Sequence, residues 1–386
     1  MKERFFLVLS ASGGAGHLRA AEALERSAAQ TGFPIRIQNY DCLDFTSKAF
    51  KKLYAESYLS MVNKAPDVWG YLYQQSEKKA YSKKGLLKLF DHLNYRRYLK
   101  TLTDFPPDAI ICTHFLPFIS VSNEVHGAGL KAPFFAATTD FDVHQYWVDN
   151  IVTRYYVFHE ESSWQLHSKG VPSEKIFVRG IPLMPEFQTR LSRKEVRQRL
   201  NIDGASFTVL TLSGGFGVGR VEDIAHQAVE TMSEFSSQQF TLLVVCGKNE
   251  KAKHQLERMS TPRHVRLRVF GFVDNIDELM DASDLLISKS GGLTSAEAMA
   301  KALPMLIVDP IPGQETRNAD LMIEHGAGWR AINLANLSYK LKLLIAKPEV
   351  LSRMRTAAST LGKPNAAAEI LEDVYEFLEK RDGGQK

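Results

Sequence analysis

The sequence predicts an α/β protein built from two doubly wound domains, and three observations lead there. Its 386 residues exceed one ordinary core and fit two. Short apolar runs alternate with amphipathic stretches along the chain, the pattern of parallel strands joined by crossover helices. Glycines at 13–16, 214–219 and 291–292 each follow such an apolar run, where a doubly wound domain keeps its ligand loops.

Each element has its own signal. In the first half, strands are expected at residues 5–9, 35–40, 108–112, 134–138, 155–158 and 176–178. Residues 179–185 then break the pattern with Pro182 and Pro185, which marks a crossing between domains. A second series follows at 207–212, 240–245, 265–269, 284–287 and 305–308, so the domains are residues 1–180 and 181–365. Residues 369–381 read as a last amphipathic helix, and the polar residues 382–386 are expected to fray.

Composition narrows the class. An apolar fraction of 44% and a charged fraction of 24% describe a soluble globular chain. Cys42, Cys112 and Cys246 are few, odd in number and widely spaced, as buried free thiols of a reducing cytoplasm would be. The opening apolar run after Glu3 is too short for a secretion signal and leads straight into glycines, so it reads as the first strand. No apolar run approaches the ~18 residues of a membrane span.

The chemistry concentrates after strands. Ser290-Gly291-Gly292 reads as a tight loop and 294–301 as a helix, whose opening residues Leu293 and Thr294 carry amides without intrahelical partners. Such an end holds an anion, and a diphosphate fits. Glu297, one turn in, suits two ribose hydroxyls; Gln314 and Glu315 close the next loop with groups suited to sugar hydroxyls. The loop holding Ser213, Gly214 and Gly215, with Arg220 behind it, offers a second set of amides. An ordinary glycine-rich turn is the plain alternative for either loop. Near the start, Gly14 and Gly16 let backbone approach a ligand closely, and His17 opens a helix, where the positive helix end keeps the imidazole neutral. A neutral imidazole can serve as a base, and a capping histidine explains the same residue. Asp140, with Asp142 and His144 nearby, stands where it could orient His17, touch an acceptor, or merely cap a helix.

Charge is uneven. Residues 46–100 hold twelve Lys or Arg against four Asp or Glu, while the rest of the chain holds 36 basic and 40 acidic residues. Ten aromatics, from Phe50 to Tyr98, are interleaved with that charge, and Leu86, Leu89, Phe90 and Leu93 stand at helical spacing beside Lys83, Lys84, Lys88 and Arg96. This is the pattern of a basic-aromatic face for an anionic membrane surface. A helical insertion packed on its own domain would give the same stripe. No nucleic-acid motif accompanies it.

Three segments together resemble one family. Residues 10–24, SASGGAGHLRAAEAL, are similar to the N-terminal glycine loop and helix-opening histidine of the monogalactosyldiacylglycerol synthase and processive diacylglycerol glucosyltransferase family. Residues 138–147, TTDFDVHQYW, resemble its Thr-Asp segment, and 288–315, ending PIPGQE, its donor-binding signature. The matches run from about residue 7 to about residue 325. The resemblance implies a GT-B glycosyltransferase architecture of two facing Rossmann-like domains, with residues 366–386 packing back on the first. It implies a UDP-sugar donor, UDP-glucose or UDP-galactose, and a diacylglycerol acceptor. It assigns His17 the role of base in an inverting transfer and Asp140 a supporting part. It points to Phe272 and Val273 as the uracil-reading segment, and to no metal, no cofactor and no nucleic acid partner. The Asp140-Phe-Asp142 triplet is then not a metal site. The implied location is cytoplasmic, peripheral on the inner face of the cell membrane. Transfer to another lipid-linked acceptor such as a peptidoglycan precursor, a UDP-sugar 2-epimerase and a non-catalytic UDP-sugar sensor are the alternatives.

Overall fold

The protein is described here by a computed structural model covering residues 1–12, 14–48, 51–52, 65–78, 103–104, 106–121, 131–213 and 220–383. Among these residues the apolar runs form two all-parallel, six-stranded sheets. The first comprises β1 (Arg4–Ser10), β2 (Ile35–Asp41), β3 (Ala109–Cys112), β4 (Phe134–Ala137), β5 (Val152–Val157) and β6 (Ile176–Val178), in the order β2-β1-β3-β4-β5-β6. The second comprises β7 (Phe207–Leu212), β8 (Phe240–Val245), β9 (Val265–Phe270), β10 (Leu285–Ser288), β11 (Met305–Val308) and β12 (Gly328–Ala331), in the order β12-β11-β10-β7-β8-β9. Every residue of β3, β4, β10 and β11 is buried, because helices cover both faces of each sheet.

Met1–Pro185 together with Asn365–Lys386 form one compact unit, and Glu186–Pro364 form another. In the first, alternate residues of β1 serve opposite faces: Leu7 and Leu9 pack with Ile110, Phe118 and Trp147, whereas Phe6 and Val8 pack with Ile111, Phe135 and Tyr156. The second of these faces is closed by Ile370, Leu371, Val374 and Tyr375 of the last helix, Ala366–Gly383. That helix is also tied by polar groups: the Tyr375 hydroxyl donates to Lys2 O at 2.7 Å, and the buried Arg4 guanidinium meets Asp108, Glu379 and Asp382. Asp382, expected in a fraying tail, is therefore anchored, 2.7 Å from Arg4. In the second unit a single cluster runs from Val209 through Leu242, Leu285 and Leu306 to Leu341.

Three further local expectations are revised. The helix expected at 294–301 is Gly292–Ala300, so Gly292 is its first residue and Gly291 its cap. Gly16 likewise lies inside helix Ala15–Ser27 rather than in the preceding loop. Strand β12 carries no apolar run to announce it. Its Gly328 fits a tight spot, since a Cβ there would stand 3.2 Å from Ile307 Cδ1 and 3.3 Å from Met305 O. Cys42, Cys112 and Cys246 are buried and free.

Candidate active site

Each sheet reverses its winding beside its first strand, between β1 and β3 and between β7 and β10, and the loops at the carboxyl ends there are where such sheets bind ligands. Both candidate centres lie at these points.

In the first unit, β1 leads to Gly14, which caps helix Ala15–Ser27 in an extended conformation with no side-chain cap. His17, in the first turn, is half-buried. Its Nδ1 lies 2.9 Å from Thr113 O, beyond β3, and 2.8 Å from Thr139 Oγ1, beyond β4. A carbonyl only accepts, so Nδ1 carries the proton and Nε2 the lone pair. The Thr113 hydroxyl donates to His17 O at 2.9 Å, fixing backbone and ring together. Burial lowers the imidazole pKa to about 4, against the Thr113 hydrogen bond that favours the protonated form. The neutral state expected from the helix end is thus reached mainly by desolvation. A Cβ on Gly14 would stand 3.6 Å from His17 Cδ2 and 4.0 Å from Nε2, so the glycine leaves the Nε2 edge uncovered. His114 stands edge-on to His17 at 4.5 Å, and burial holds its pKa well below the ordinary value, with the two rings disfavouring protonation of each other. Asp140 is half-buried directly after Thr139. The two hydrogen bonds to the His17 ring described above come from Thr113 and Thr139. His144 is buried and rests on Tyr73 of helix Pro66–Lys78, with ring centroids 4.7 Å apart.

In the second unit, register pairs Ile287 with Thr211 and Ser288 with Ile307, which sets the loops after β7, β10 and β11 side by side. Ser213 is buried after β7, and its hydroxyl has no hydrogen-bond partner among the described residues. The Ser290 hydroxyl donates to Glu315 O at 2.7 Å, and Asn318 Nδ2 donates to Ser290 O at 3.0 Å, so the glycine loop is pinned to helix Gln314–Glu324. Gly291 caps helix Gly292–Ala300 without side-chain help, which leaves the amides of Gly292, Leu293 and Thr294 without intrahelical acceptors. Glu315 Oε2 accepts from the Ile311 amide at 2.7 Å, and a Cβ on Gly291 would stand 3.5 Å from Oε1. Burial raises the Glu315 pKa, with the Ile311 amide and the Lys289 charge opposing it. Glu297 is buried within its helix, and Gln314 is half-buried at the start of the next, after Gly313 at φ 95°. That φ favours glycine.

Other expected contributors lie further out. Arg220, read as backing the β7 loop, grips Asp309 after β11 with Nη2 2.9 Å from Oδ1 and Nε 3.2 Å from Oδ2. It therefore ties the β11 loop to the start of helix Val221–Ser233, and its charge is met by a carboxylate. Phe272 is 64% exposed beyond β9, with Val273 half-buried beside it. Gly214 and Gly215 lie outside the described residues. So do Lys83, Lys84, Leu86, Lys88, Leu89, Phe90, Leu93 and Arg96 of the basic-aromatic stretch. Within that stretch Tyr71 is 61% exposed, whereas Lys51 is neutralised by Asp41 and Asp44 at 2.7 and 2.5 Å. Among the described residues no cluster of three or more His, Cys, Asp or Glu could hold a metal, and no helix is long and apolar enough to cross a membrane.

The far end of helix Gly292–Ala300 is held firmly. Lys301 Nζ, fully buried, lies 2.8 Å from Asp281 and donates to the carbonyls of Glu186 and Thr189 at 3.0 and 2.5 Å. A Cβ on Gly362 would stand 2.5 Å from Met299 O. The segments 186–189 and 362 therefore both bear on the last turn of this helix.

Comparison with known proteins agrees with this arrangement. The monogalactosyldiacylglycerol (MGDG) synthase profile matches residues 17–183, and the glycosyltransferase family 28 C-terminal domain profile matches 217–370. A processive diacylglycerol β-glucosyltransferase of Bacillus mycoides is 30% identical over 382 residues, 95% of this chain and 92% of that one. The chain belongs to this monogalactosyldiacylglycerol synthase and processive diacylglycerol glucosyltransferase family. Solved structures extend the likeness to the fold alone: MurG of Acinetobacter baumannii has TM-score 0.61 at 13% identity, covering 97% of this chain and all of its own. A co-structure of S. aureus MnaA with UDP has TM-score 0.64 at 12% identity, covering 97% of each chain. Family membership and GT-B fold are those that the glycine and Thr-Asp motifs imply.

Proposed function

We propose that this chain transfers a glucosyl group from UDP-glucose to the free hydroxyl of diacylglycerol, with inversion and without a metal ion, at an anionic membrane surface. The observation that carries this reading is the full-length relationship to a processive diacylglycerol β-glucosyltransferase. Its chemistry rests on the residues above. The acceptor oxygen attacks the anomeric carbon while His17 Nε2 takes its proton; the bond from that carbon to the diphosphate oxygen breaks, and UDP leaves with the electron pair. An α-linked donor then yields a β product, the configuration in the relative's name. The amides of Gly292, Leu293 and Thr294, with the Ser213 hydroxyl beside them, receive the charge of the departing diphosphate, while Ser290 holds their loop in place. Glu297 accepts from the ribose, and Gln314 and Glu315 bind the sugar. Asp140 contributes to the acceptor side, and Phe272 and Val273 to the uracil. Val68 and Tyr71, both exposed on helix Pro66–Lys78, support docking on lipid through the basic-aromatic stretch.

The test is incubation of the full chain with UDP-glucose or UDP-galactose and diacylglycerol in anionic or neutral vesicles, with and without EDTA, followed by lipid analysis. Glucosyldiacylglycerol from UDP-glucose, undiminished by EDTA and more abundant on anionic vesicles, is the expected result. Absence of any glycolipid from either sugar would overturn the reading, and loss of product with EDTA would overturn metal independence.

A further inference from the structure

The amino ends of the second sheet carry a cluster of positive charge that the transfer reaction does not use. Helix Arg193–Arg199 lies near the start of β7 and the residue before β10, Asp284. On that carboxylate converge Arg193, Arg197 at 2.9 Å and Arg355 at 3.7 Å. Its Oδ2 also accepts from the Thr208 amide at 2.8 Å, so little acceptor capacity remains.

The arginines are not equivalent. Arg197 is buried and saturated, donating to the carbonyls of Ala282, Gly204 and Ser206 and to the Thr208 hydroxyl besides Asp284; it is a strut of the fold. Arg190 finds only neutral acceptors, Ala300 O and Ser359 Oγ. Arg193 is ion-paired to Asp284 through Nη2, but its buried Nε has no acceptor among the described residues. The other carboxylates near the cluster are Asp203, whose field reaches Arg197, Glu195 on the same helix, Glu278, which is paired with Arg199 at 2.6 Å, and Asp281, which is taken by Lys301. Crowding shows in the proton affinities: burial, then the Arg193 charge, lowers the pKa of both Arg197 and Arg355.

Apart from its buried Nε, the Arg193 side chain is 33% exposed and Lys194 is exposed, and both open on space. A cavity of about 950 Å³ is lined by the cations Arg193, Lys194 and Arg197 against the single carboxylate Asp284, with Gln198 and Asn201 among the neutral residues. We propose that it is a second anion site, which takes a phosphate group through Arg193 and Lys194, with Gln198 and Asn201 as neutral partners. Several cations facing one cavity favour a dianion over a carboxylate, and a guanidinium fork fits phosphate oxygens. The site is separate from the glycine loops, which lie at the other ends of the same strands, roughly 20 Å away for a six-residue strand.

The test uses the full chain and inorganic pyrophosphate, followed by calorimetric titration in wild type and in Arg193→Gln/Lys194→Gln. The expected result is a binding component that survives excess UDP in wild type and weakens about tenfold or more in the double variant, as loss of charged hydrogen bonds predicts. Should the double variant melt early, the exposed Lys194→Gln alone decides, with an expected weakening of roughly threefold. Glycerol phosphate in solution and vesicles containing phosphatidic acid then separate a free phosphate from a lipid headgroup. Weakening with either one upholds the site. Pyrophosphate, glycerol phosphate and vesicle binding all unchanged in the variants would overturn it.

Discussion

The two units use the same opening, a buried strand, a glycine and an uncapped helix start, for different ends. At Gly14 the first turn carries an imidazole gripped from two neighbouring strands by Thr113 and Thr139, and the pocket is dry enough to hold it neutral. At Gly291 the first turn carries bare amides, and the loop around it is fixed by the Ser290 hydroxyl, the Asn318 amide and one carboxylate oxygen of Glu315. A helix start is an anion site by default. Placing a half-buried histidine there makes it a site for a proton, because the field that favours an anion disfavours an imidazolium and desolvation adds to that. On the proposed function, the contrast would place proton transfer in the first unit and donor charge in the second.

The sharpest break in that contrast is His17→Ala. It should lower turnover by roughly 10² or more, the usual contribution of a general base, while leaving the dissociation constant of UDP unchanged. Near-normal turnover at saturating diacylglycerol would remove the base from the first unit. Thr139→Val tests how far the ring depends on its second partner. With Thr113 O still in place, a loss of about fivefold in turnover is expected, corresponding to ~1 kcal/mol for one hydrogen bond. A smaller effect is expected on stability. The folded-state pKa of His17, about 4, lies below its ordinary value of 6.5, so between them the unfolded chain binds more protons. The stabilisation from keeping this ring neutral is complete above pH 6.5 and is lost as pH falls towards 4. His17→Gln should therefore show a shallower fall in melting temperature than wild type over that range, and parallel curves would count against a ring held neutral in the fold.

The strands were legible because parallel strands covered on both faces read as plain apolar runs. Sequence positions 176–178, 207–212, 240–245 and 305–308 coincide with β6, β7, β8 and β11. β12 was not legible, since its start is chosen for the closeness of Ile307 and Met305 rather than for hydrophobicity. The glycine, His17 and Thr-Asp motifs marked where the site lies, but not what holds it. Thr113 is 96 residues from His17, and Asp309 is 89 from Arg220; nothing local in the chain announces either pair. Lys51 was counted as surplus charge although Asp41 and Asp44 neutralise it, because a tally of charges carries no distances.

The division of labour is tested most directly by adding one methyl group at each helix cap and measuring turnover and UDP affinity together. Both caps tolerate alanine: Gly14 has φ −169° and ψ 152°, Gly291 has φ −60° and ψ 138°, and the added Cβ would meet only ordinary contacts of 3.5 Å or more. Gly14→Ala crowds the Nε2 edge of His17 and should lower turnover with UDP affinity intact. Gly291→Ala crowds the approach to the amides and should weaken UDP, with melting temperature little changed in either variant. Loss of UDP affinity in Gly14→Ala, or unaltered UDP affinity in Gly291→Ala, would contradict the account.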